Sequence, residues 1–283
     1  SLEDLEEVKL FGKDPISVMN PSSERMNTLR TTLHLGLLKN LDFNYRNGSS
    51  NTMIYEYGTI FEGKSEKLES ITQNSSLSCL VHGDLFSKNV HFDSISASFA
   101  FLKGIALNIF EDKKLNINIK LLEKKHHYCE TYFAILDGRK QKIGGIGVIS
   151  KTLLNKLDIA HKHDVVVLDI DPTIFIDYRN FKIKVNDVVP YPAVARDLNF
   201  KMDSSISVGD VTTAIKSVNQ SILQTVLPVD IYISKKDKSS KDVLFSLTFQ
   251  SPKKTLEDND VNTVITEIIN VVSKKFNAKL RDN

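Results

Sequence analysis

The sequence contains no tryptophan and only two cysteines, Cys79 and Cys129, among its 283 residues. Two cysteines are too few for a disulfide scaffold or a four-cysteine zinc site, and they fit a reducing cytosol, so we expect a cytoplasmic protein. No apolar run approaches the roughly 20 residues of a transmembrane helix, which predicts no contact with a membrane. Acidic residues crowd the first seven positions, where a signal peptide would be basic.

The net charge is also small, at +2 from 37 basic and 35 acidic residues. A protein that binds nucleic acid through its overall electrostatic field is more basic than this, so any nucleic-acid contact must be local. The first residue is Ser1 rather than Met. We therefore expect the chain to be a processed or excised piece of a longer protein.

Two prolines two residues apart, Pro190 and Pro192, mark the clearest interruption of the sequence. Closely spaced prolines stop regular structure and stiffen the backbone. We place a domain boundary here, which predicts a first domain of residues 1–189 and a second of residues 190–283. Basic and acidic residues balance in the first domain, so the whole positive excess lies in the second.

The first domain combines predicted strands with separate helices. Apolar residues at helical spacing predict a helix over 32–46, capped by Thr31 or Thr32, whose apolar face includes Leu33, Leu37 and Leu41. Further helices are predicted over 95–110 and near 153. Strands are predicted over 52–61, 76–82, 115–122, 131–136, 142–149 and 164–170. Runs of strands with separate helices indicate an α+β fold with an antiparallel sheet.

The second domain has the element order βαββαβ. Strands are predicted over 196–202, 227–234, 243–249 and 278–281, and helices over 208–218 and 261–276. In the second strand, Val229, Ile231 and Ile233 share one face and Tyr232 lies on the other. This order is the ferredoxin-like pattern, which supports many functions and identifies none.

One short segment resembles the catalytic loop of a small-molecule phosphotransferase. Within residues 82–90, Asp84 takes the position of the catalytic base, and Asn89, five residues on, takes that of a metal ligand. Such enzymes also need a Gly-rich turn and a phosphate-binding lysine before this loop, and a second metal-binding Asp after it. The sequence offers none of these in a usable context, so a strand end followed by a polar loop is the simpler interpretation.

The other clusters of reactive residue types favour structural roles. His126 and His127 are adjacent, so on a strand their side chains point to opposite faces and cannot easily share a metal ion. Asp169 and Asp171 precede a proline and suit a strand end with a turn. The glycines of residues 144–147 lie inside a predicted hairpin, which indicates tight sheet packing rather than a phosphate-binding loop. We expect no catalytic residue and no metal site in the chain.

The second domain offers a different kind of site, in which aromatic and basic residues are mixed. These residues are Tyr191, Arg196, Tyr232, Lys235, Lys236, Lys238, Lys241, Lys253 and Lys254. An exposed aromatic ring beside basic loops on a four-stranded sheet is how RNA-recognition folds stack unpaired bases. The alternative is a solvated lysine loop over 235–241, which is common at protein surfaces.

Several short motifs follow one another along the chain in a recognisable order. In the first domain they are Asn20-Pro21-Ser22-Ser23, Leu29-Arg30-Thr31-Thr32-Leu33, Glu56-Tyr57-Gly58-Thr59-Ile60-Phe61 and Ile143-Gly144-Gly145-Ile146-Gly147. In the second they are residues 191–198 and 251–258. Together they resemble the C-terminal portion of the beta subunit of bacterial phenylalanyl-tRNA synthetases. Each motif alone is moderately specific, whereas the ordered set is very specific.

This resemblance implies a class II synthetase-like first domain that has lost catalysis and a ferredoxin-fold anticodon-binding second domain. The helix over 32–46 would pack against the catalytic alpha subunit of an α2β2 assembly, which makes Leu33, Leu37 and Leu41 interface as well as core residues. ATP and Mg²⁺ would serve the whole enzyme, and this chain alone would neither aminoacylate nor edit. A pure subunit-interaction module with little RNA affinity is the structural alternative.

The resemblance further implies that the second domain binds the anticodon region of phenylalanine tRNA. The expected tRNA-binding residues are Tyr191, Arg196, Asp230, Tyr232, Lys235, Lys241 and Asp242. Tyr232 would stack on an anticodon base, with Asp230 close to it. Asp242 stands where the family has a small hydroxyl residue, and Lys241 would have to offset its negative charge near the phosphates.

Overall fold

The computed structural model describes residues 9, 11, 16–22, 27–63, 68–86, 88–91, 93–112, 115, 117–121, 126–176, 189–219, 221–234 and 238–281. The chain divides into two compact units, residues 1–182 and 183–283, and each is described by itself. The boundary between residues 189 and 190 stays a prediction.

The first unit is built on a six-stranded antiparallel sheet, which confirms the α+β prediction. Its strands are β1 (Ile16–Ser17), β2 (Thr28–Leu29), β3 (Thr52–Glu62), β4 (Thr72–His82), β5 (Asp84–Phe86), β6 (Ile95–Ser96), β7 (Asn118–Leu121), β8 (Cys129–Leu136), β9 (Lys142–Ile149) and β10 (Val165–Ile170). Its helices are α1 (His34–Arg46), α2 (Phe99–Asp112) and α3 (Lys151–Lys156). The large sheet has the order β3-β4-β10-β9-β8-β7, and β1-β2 and β5-β6 form two short ribbons.

Helices cover both faces of this sheet, which explains why its central strand β10 is apolar at nearly every position. Val165 and Val167 belong to the core cluster that contains Leu41 of α1. Val166 belongs to the cluster on the other face, which contains Phe110 of α2. The sheet therefore has two separate cores, one on each side.

Two helices begin later than the sequence predicts. α1 begins at His34 rather than Thr32, and the Thr32 hydroxyl accepts a hydrogen bond from the His34 backbone N–H at 3.2 Å. α2 begins at Phe99, because residues 95–96 pair with β5 and form a strand instead. The Ser98 hydroxyl accepts the N–H of Phe101 at 3.2 Å and satisfies one of the free donors of the first turn.

The second unit is a four-stranded antiparallel sheet with two helices, which confirms the ferredoxin-like prediction. Its elements are β11 (Val194–Asp203), α4 (Val208–Lys216), β12 (Leu223–Ile233), β13 (Ser240–Phe249), α5 (Asp258–Phe276) and β14 (Lys279–Leu280). The sheet order is β12-β13-β11-β14. Alternate strand residues such as Phe200 and Phe245 pack with Ile268 of α5 in one core. The helices thus cover one face of the sheet.

The other face of this sheet is called the outer face here. Cross-strand partners in an antiparallel pair share a face, so the register assigns its members. They include Asp197, Asn199, Lys201, Asp230, Tyr232, Asp242, Leu244, Ser246 and Lys279. Each of these residues is exposed or half-buried, whereas the alternate positions of β13 are buried.

Strand β12 departs from the predicted alternation of buried and exposed residues. Its apolar residues Val229, Ile231 and Ile233 are 61%, 49% and 50% exposed, so they do not form a buried face. A register shift lies between Pro228 and Asp230, and burial along the strand ends at Val226. β12 is the edge strand of the sheet, and its second half projects beyond the core.

Candidate nucleic-acid interface

Tyr232 lies on the outer face near the end of β12. Its side chain is 60% exposed, and its cross-strand partner is Asp242 of β13. Asp230, two residues earlier, pairs with Leu244 on the same face, and its carboxylate accepts the N–H of Ile231 at 2.8 Å. An exposed aromatic ring on an open sheet offers a surface on which an unpaired base can stack.

Asp242 carries a negative charge directly beside Tyr232, and Arg281 compensates it. The Arg281 guanidinium donates to the Asp242 carboxylate in an ion pair, in which the Asp242 side chain is only 13% exposed. Arg281 follows β14 at the far edge of the sheet, and its backbone N–H donates to the Asn199 carbonyl at 2.8 Å. The sequence predicts that Lys241 offsets this charge, and that prediction is wrong.

Lys241 lies on the face opposite Tyr232. Its cross-strand partners are Ile233 and Met202, and its ammonium group donates to the backbone carbonyls of Ser204, at 3.0 Å, and Ile206. Burial lowers the pKa of Lys241, while the negative charge of Asp203 opposes this change. Its role in the structure is to hold the turn after β11.

Two other predicted tRNA-binding residues, Arg196 and Tyr191, make contacts away from Tyr232. Arg196 pairs with the buried Leu247, so it lies on the helix-covered face, and its guanidinium donates to Asp258 at 2.9 Å. The Tyr191 carbonyl accepts a hydrogen bond from the Gln250 side chain at 2.8 Å. Lys235 lies outside the described residues. The structure therefore brings together Asp230, Tyr232 and Asp242 from the predicted set.

The sequence interpretation missed the cations on this face. Lys201 pairs with Asp242 on one side and with Lys279 on the other, and Arg281 reaches the same carboxylate. The alternation of Leu198, Phe200 and Met202 was a usable signal, because it puts Lys201 on the face away from the core. The register of β14 on β11, which sets Lys279 beside Lys201, has no comparable signal.

In the first unit, the three predicted interface leucines lie in the chain's own core. Leu33, Leu37 and Leu41 are at most 2% exposed. Their side chains are thus unavailable to a second subunit, which corrects the interface assignment. The large apolar side chain that α1 exposes is Phe43, at 67%.

Two of the sequence motifs of the first unit meet in space. The Arg30 guanidinium forms an ion pair with the Glu56 carboxylate at 2.5 Å and donates to the Thr59 carbonyl at 2.7 Å. It passes over Gly58, where an added Cβ would lie 2.3 Å from an Arg30 nitrogen. The glycine therefore makes room for an arginine that ties the segment between β2 and α1 to β3.

The groups considered for catalysis or metal binding have local structural partners. Asp84 accepts the Ser96 hydroxyl at 2.6 Å, and Asn89 accepts the backbone N–H of His91 at 2.8 Å. Asp171 caps the turn at Pro172–Phe175, as a strand end with a turn predicts. Across the residues that the structure describes, no group of three or more His, Cys, Asp or Glu is arranged to hold a metal ion.

The glycines of residues 144–147 pack tightly, as the sequence indicates. A Cβ on Gly145 would overlap the Tyr132 hydroxyl, and one on Gly147 would lie 2.6 Å from the Cys129 sulfur. The Tyr132 ring lies across β9 and stacks on His126, with ring centroids 4.0 Å apart and an interplanar angle of 6°. Glycine is thus required here by side-chain packing rather than by phosphate binding.

Comparison with known proteins identifies both units. A family model described as the phenylalanyl tRNA synthetase beta chain CLM domain matches residues 1–171. A second, the ferredoxin-fold anticodon binding domain, matches residues 190–281. The chain belongs to the phenylalanyl-tRNA synthetase beta chain family. Since the first match covers Asp84 and Asn89, the family assignment displaces the phosphotransferase interpretation.

Curated members of the family are similar along almost the whole chain. The phenylalanine–tRNA ligase beta subunit of Francisella tularensis is 28% identical over 278 residues, which cover 96% of this chain and 33% of the relative. That of Coxiella burnetii is 26% identical over 94% of this chain and 33% of its own length. That of Buchnera aphidicola is 28% identical over 95% and 34%. The chain thus spans about a third of the length of the relatives it matches.

Among the described residues, no helix is both long and apolar enough to cross a membrane.

Proposed function

We propose that this chain acts as the C-terminal part of a phenylalanine–tRNA ligase beta subunit, in which the second domain binds the anticodon region of phenylalanine tRNA. The observation that carries this proposal is Tyr232, an exposed aromatic ring on the outer face of a ferredoxin-fold anticodon-binding domain. Anticodon bases in a loop are unpaired, and unpaired bases stack on such rings. Asp230 lies on the same face, where its carboxylate can accept hydrogen bonds from the edge of a stacked base.

Replacement of Tyr232 tests this proposal. Tyr232→Ala removes the stacking surface and should weaken binding of phenylalanine tRNA by about 1–3 kcal/mol, a loss of roughly five- to 150-fold. Tyr232→Phe keeps the ring and should bind within a few-fold of the wild type. Fluorescence titration of labelled tRNA at fixed salt measures both. Equal affinities of wild type and Tyr232→Ala would contradict the stacking role, and absence of binding by the wild type would favour a pure subunit-interaction module.

We further propose that the first domain supports the catalytic alpha subunit within an α2β2 assembly. Met53, Tyr55 and Tyr57 alternate along the edge strand β3 and are 58%, 75% and 64% exposed. They lie on the face that α2 covers farther into the sheet, since their partners on β4 include Val81 of that core. An exposed row of large apolar side chains at a sheet edge is typical of a surface that another protein covers.

The first domain is proposed to be a class II synthetase-like domain without catalytic activity, in keeping with its antiparallel sheet. ATP and Mg²⁺ are assigned to the whole cytoplasmic enzyme rather than to this chain. Several of its described carboxylates and histidines have structural partners: Asp171 accepts hydrogen bonds in a turn, and His126 stacks on Tyr132. The chain's own contribution is then to bind RNA and to support the partner subunit.

A further inference from the structure

The register of the second domain's sheet aligns four side chains in one row across the outer face. Tyr232 on β12 pairs with Asp242 on β13, and Asp242 pairs with Lys201 on β11. Lys201 pairs in turn with Lys279 on β14. Neighbouring strands are about 4.8 Å apart, so the row extends about 14 Å from the tyrosine to the last lysine. This length suits a few consecutive nucleotides of a single strand.

Charge is distributed unequally along the row. The Asp242 carboxylate is neutralised by Arg281, as described above. Lys201 and Lys279 are both exposed, and neither forms an ion pair within the part of the chain that the structure describes. Their half of the row is therefore positive, while the half near Tyr232 is neutral apart from Asp230.

The acidic residues that flank the two lysines form no ion pair with them within the described residues. Asp203 lies two residues beyond Lys201 and keeps its negative charge, and one of its carboxylate oxygens accepts the backbone N–H and the hydroxyl of Ser205. Asp197 pairs with Ser246, four residues back along β11 and two rows away. Between Asp197 and Lys201, the outer-face residue of β11 is the neutral Asn199.

We propose that Lys201 and Lys279 form a phosphate-binding site for the backbone of an RNA strand whose base lies on Tyr232. This inference rests on the proposed RNA-binding function and adds a direction to it. The base lies at the β12 edge, where the ring is, and the phosphates cross towards the β14 edge, where the unpaired cations are. Lysine ammonium groups bind phosphate oxygens as point charges, which adds affinity without base specificity.

The salt dependence of binding separates this site from the stacking site. Each phosphate contact with a single strand contributes about 0.7 to the slope of log K against log salt concentration. In the full chain, the double variant Lys201→Gln, Lys279→Gln should make this negative slope shallower by about 1.4, the contribution of two phosphate contacts. The ratio of wild-type to variant affinity should then fall about sevenfold when the salt concentration rises fourfold. The probe is an RNA hairpin that carries the anticodon loop of phenylalanine tRNA, titrated by fluorescence anisotropy.

The double variant Lys216→Gln, Lys274→Gln is the matched control. It removes the same charge from the last turns of α4 and α5, on the helix-covered side of the sheet, and it should leave the slope unchanged. A hairpin with abasic loop positions should keep the effect of the Lys201 and Lys279 changes and lose that of Tyr232→Ala.

Two other outcomes distinguish the two proposals. If the wild type binds the hairpin and the Lys201, Lys279 double variant shows the same salt dependence of binding, the phosphate site is wrong, whereas the proposed RNA binding is supported. If the wild type does not bind the hairpin, the proposed function itself fails. Thermal melting of each variant confirms that the changes act on binding rather than on folding.

Discussion

At the scale of single residues, the His126–Tyr132 stack shows how packing determines protonation. Burial lowers the pKa of His126 to about 4, and the positive charge of Lys142 adds to this effect. The Lys142 ammonium lies 4.8 Å from the centre of the Tyr132 ring, so a charged imidazole would lie close to a second cation. The native structure therefore holds His126 neutral. The adjacent His127 made this residue look like a candidate metal ligand, whereas its structural role is aromatic stacking.

We expect this histidine to reduce stability in acid. The unfolded chain binds a proton at the ordinary histidine pKa near 6.5, and the folded chain does so only near 4. The unfolded state thus binds more protons between these values, so the free energy of unfolding falls as the pH drops through this window. His126→Phe keeps a stacked ring and should make that fall less steep. Urea denaturation at several pH values measures it.

His91→Phe is the comparison for this experiment, because His91 is exposed in a loop. The free energy of unfolding of the His91→Phe variant should change with pH as that of the wild type does. If the free energies of unfolding of the His126 and His91 variants depend on pH as that of the wild type does, the stacked imidazole of His126 does not contribute to acid sensitivity.

At the scale of elements, patterns predicted the type of each element better than its ends or its exposed side. β4 begins at Thr72, four residues before the predicted start, because backbone pairing with β3 carries the polar sequence 72–75 into the strand. Helical periodicity correctly identified the apolar face of α1. It does not say whether such a face meets the chain's own sheet or another subunit, and here Leu41 meets the sheet.

The core and the exposed β3 edge of the first unit should respond differently to substitution. Leu41→Ala creates a cavity in the core and should lower the free energy of unfolding by about 2–5 kcal/mol.

Tyr55→Thr keeps a β-forming residue at an exposed position, so the free energy of unfolding should change by no more than about 0.5 kcal/mol. If β3 contacts the alpha subunit, the Tyr55 variant should nevertheless lose co-purification with it. Retention of the alpha subunit by Tyr55→Thr would argue against this surface, and Phe43→Ala then tests the exposed side of α1.

At the scale of the whole molecule, each unit has its own core. The buried cluster of the second unit draws only on residues from 198 to 278, and those of the first unit lie between residues 11 and 170. A unit with a complete core of its own is able to fold independently. The two family matches, to residues 1–171 and 190–281, separate along the same line.

Residues 190–283 produced alone should therefore fold and unfold in one cooperative transition. Urea denaturation followed by circular dichroism measures this, and the same fragment should retain the salt-dependent RNA binding expected of the outer face. The Tyr232→Ala fragment is the control, since it should unfold at the same urea concentration and bind RNA more weakly. A gradual, non-cooperative transition would show that the second unit needs the first.

The sequence alone determined the α+β class, the βαββαβ order, the ordered family motifs and the position of Tyr232 on the face away from the core. These depend on local periodicity, turn residues and motif spacing, which a linear chain displays directly. Only the tertiary structure decided which charges meet. Arg281 reaches Asp242 across 39 positions of sequence, while the adjacent Lys241 points to the other face. The alternation of β13 accounts for the face that Lys241 takes, but the partner of Asp242 depends on the register in which β11 pairs with β13 and β14, and this long-range register is encoded by no local pattern.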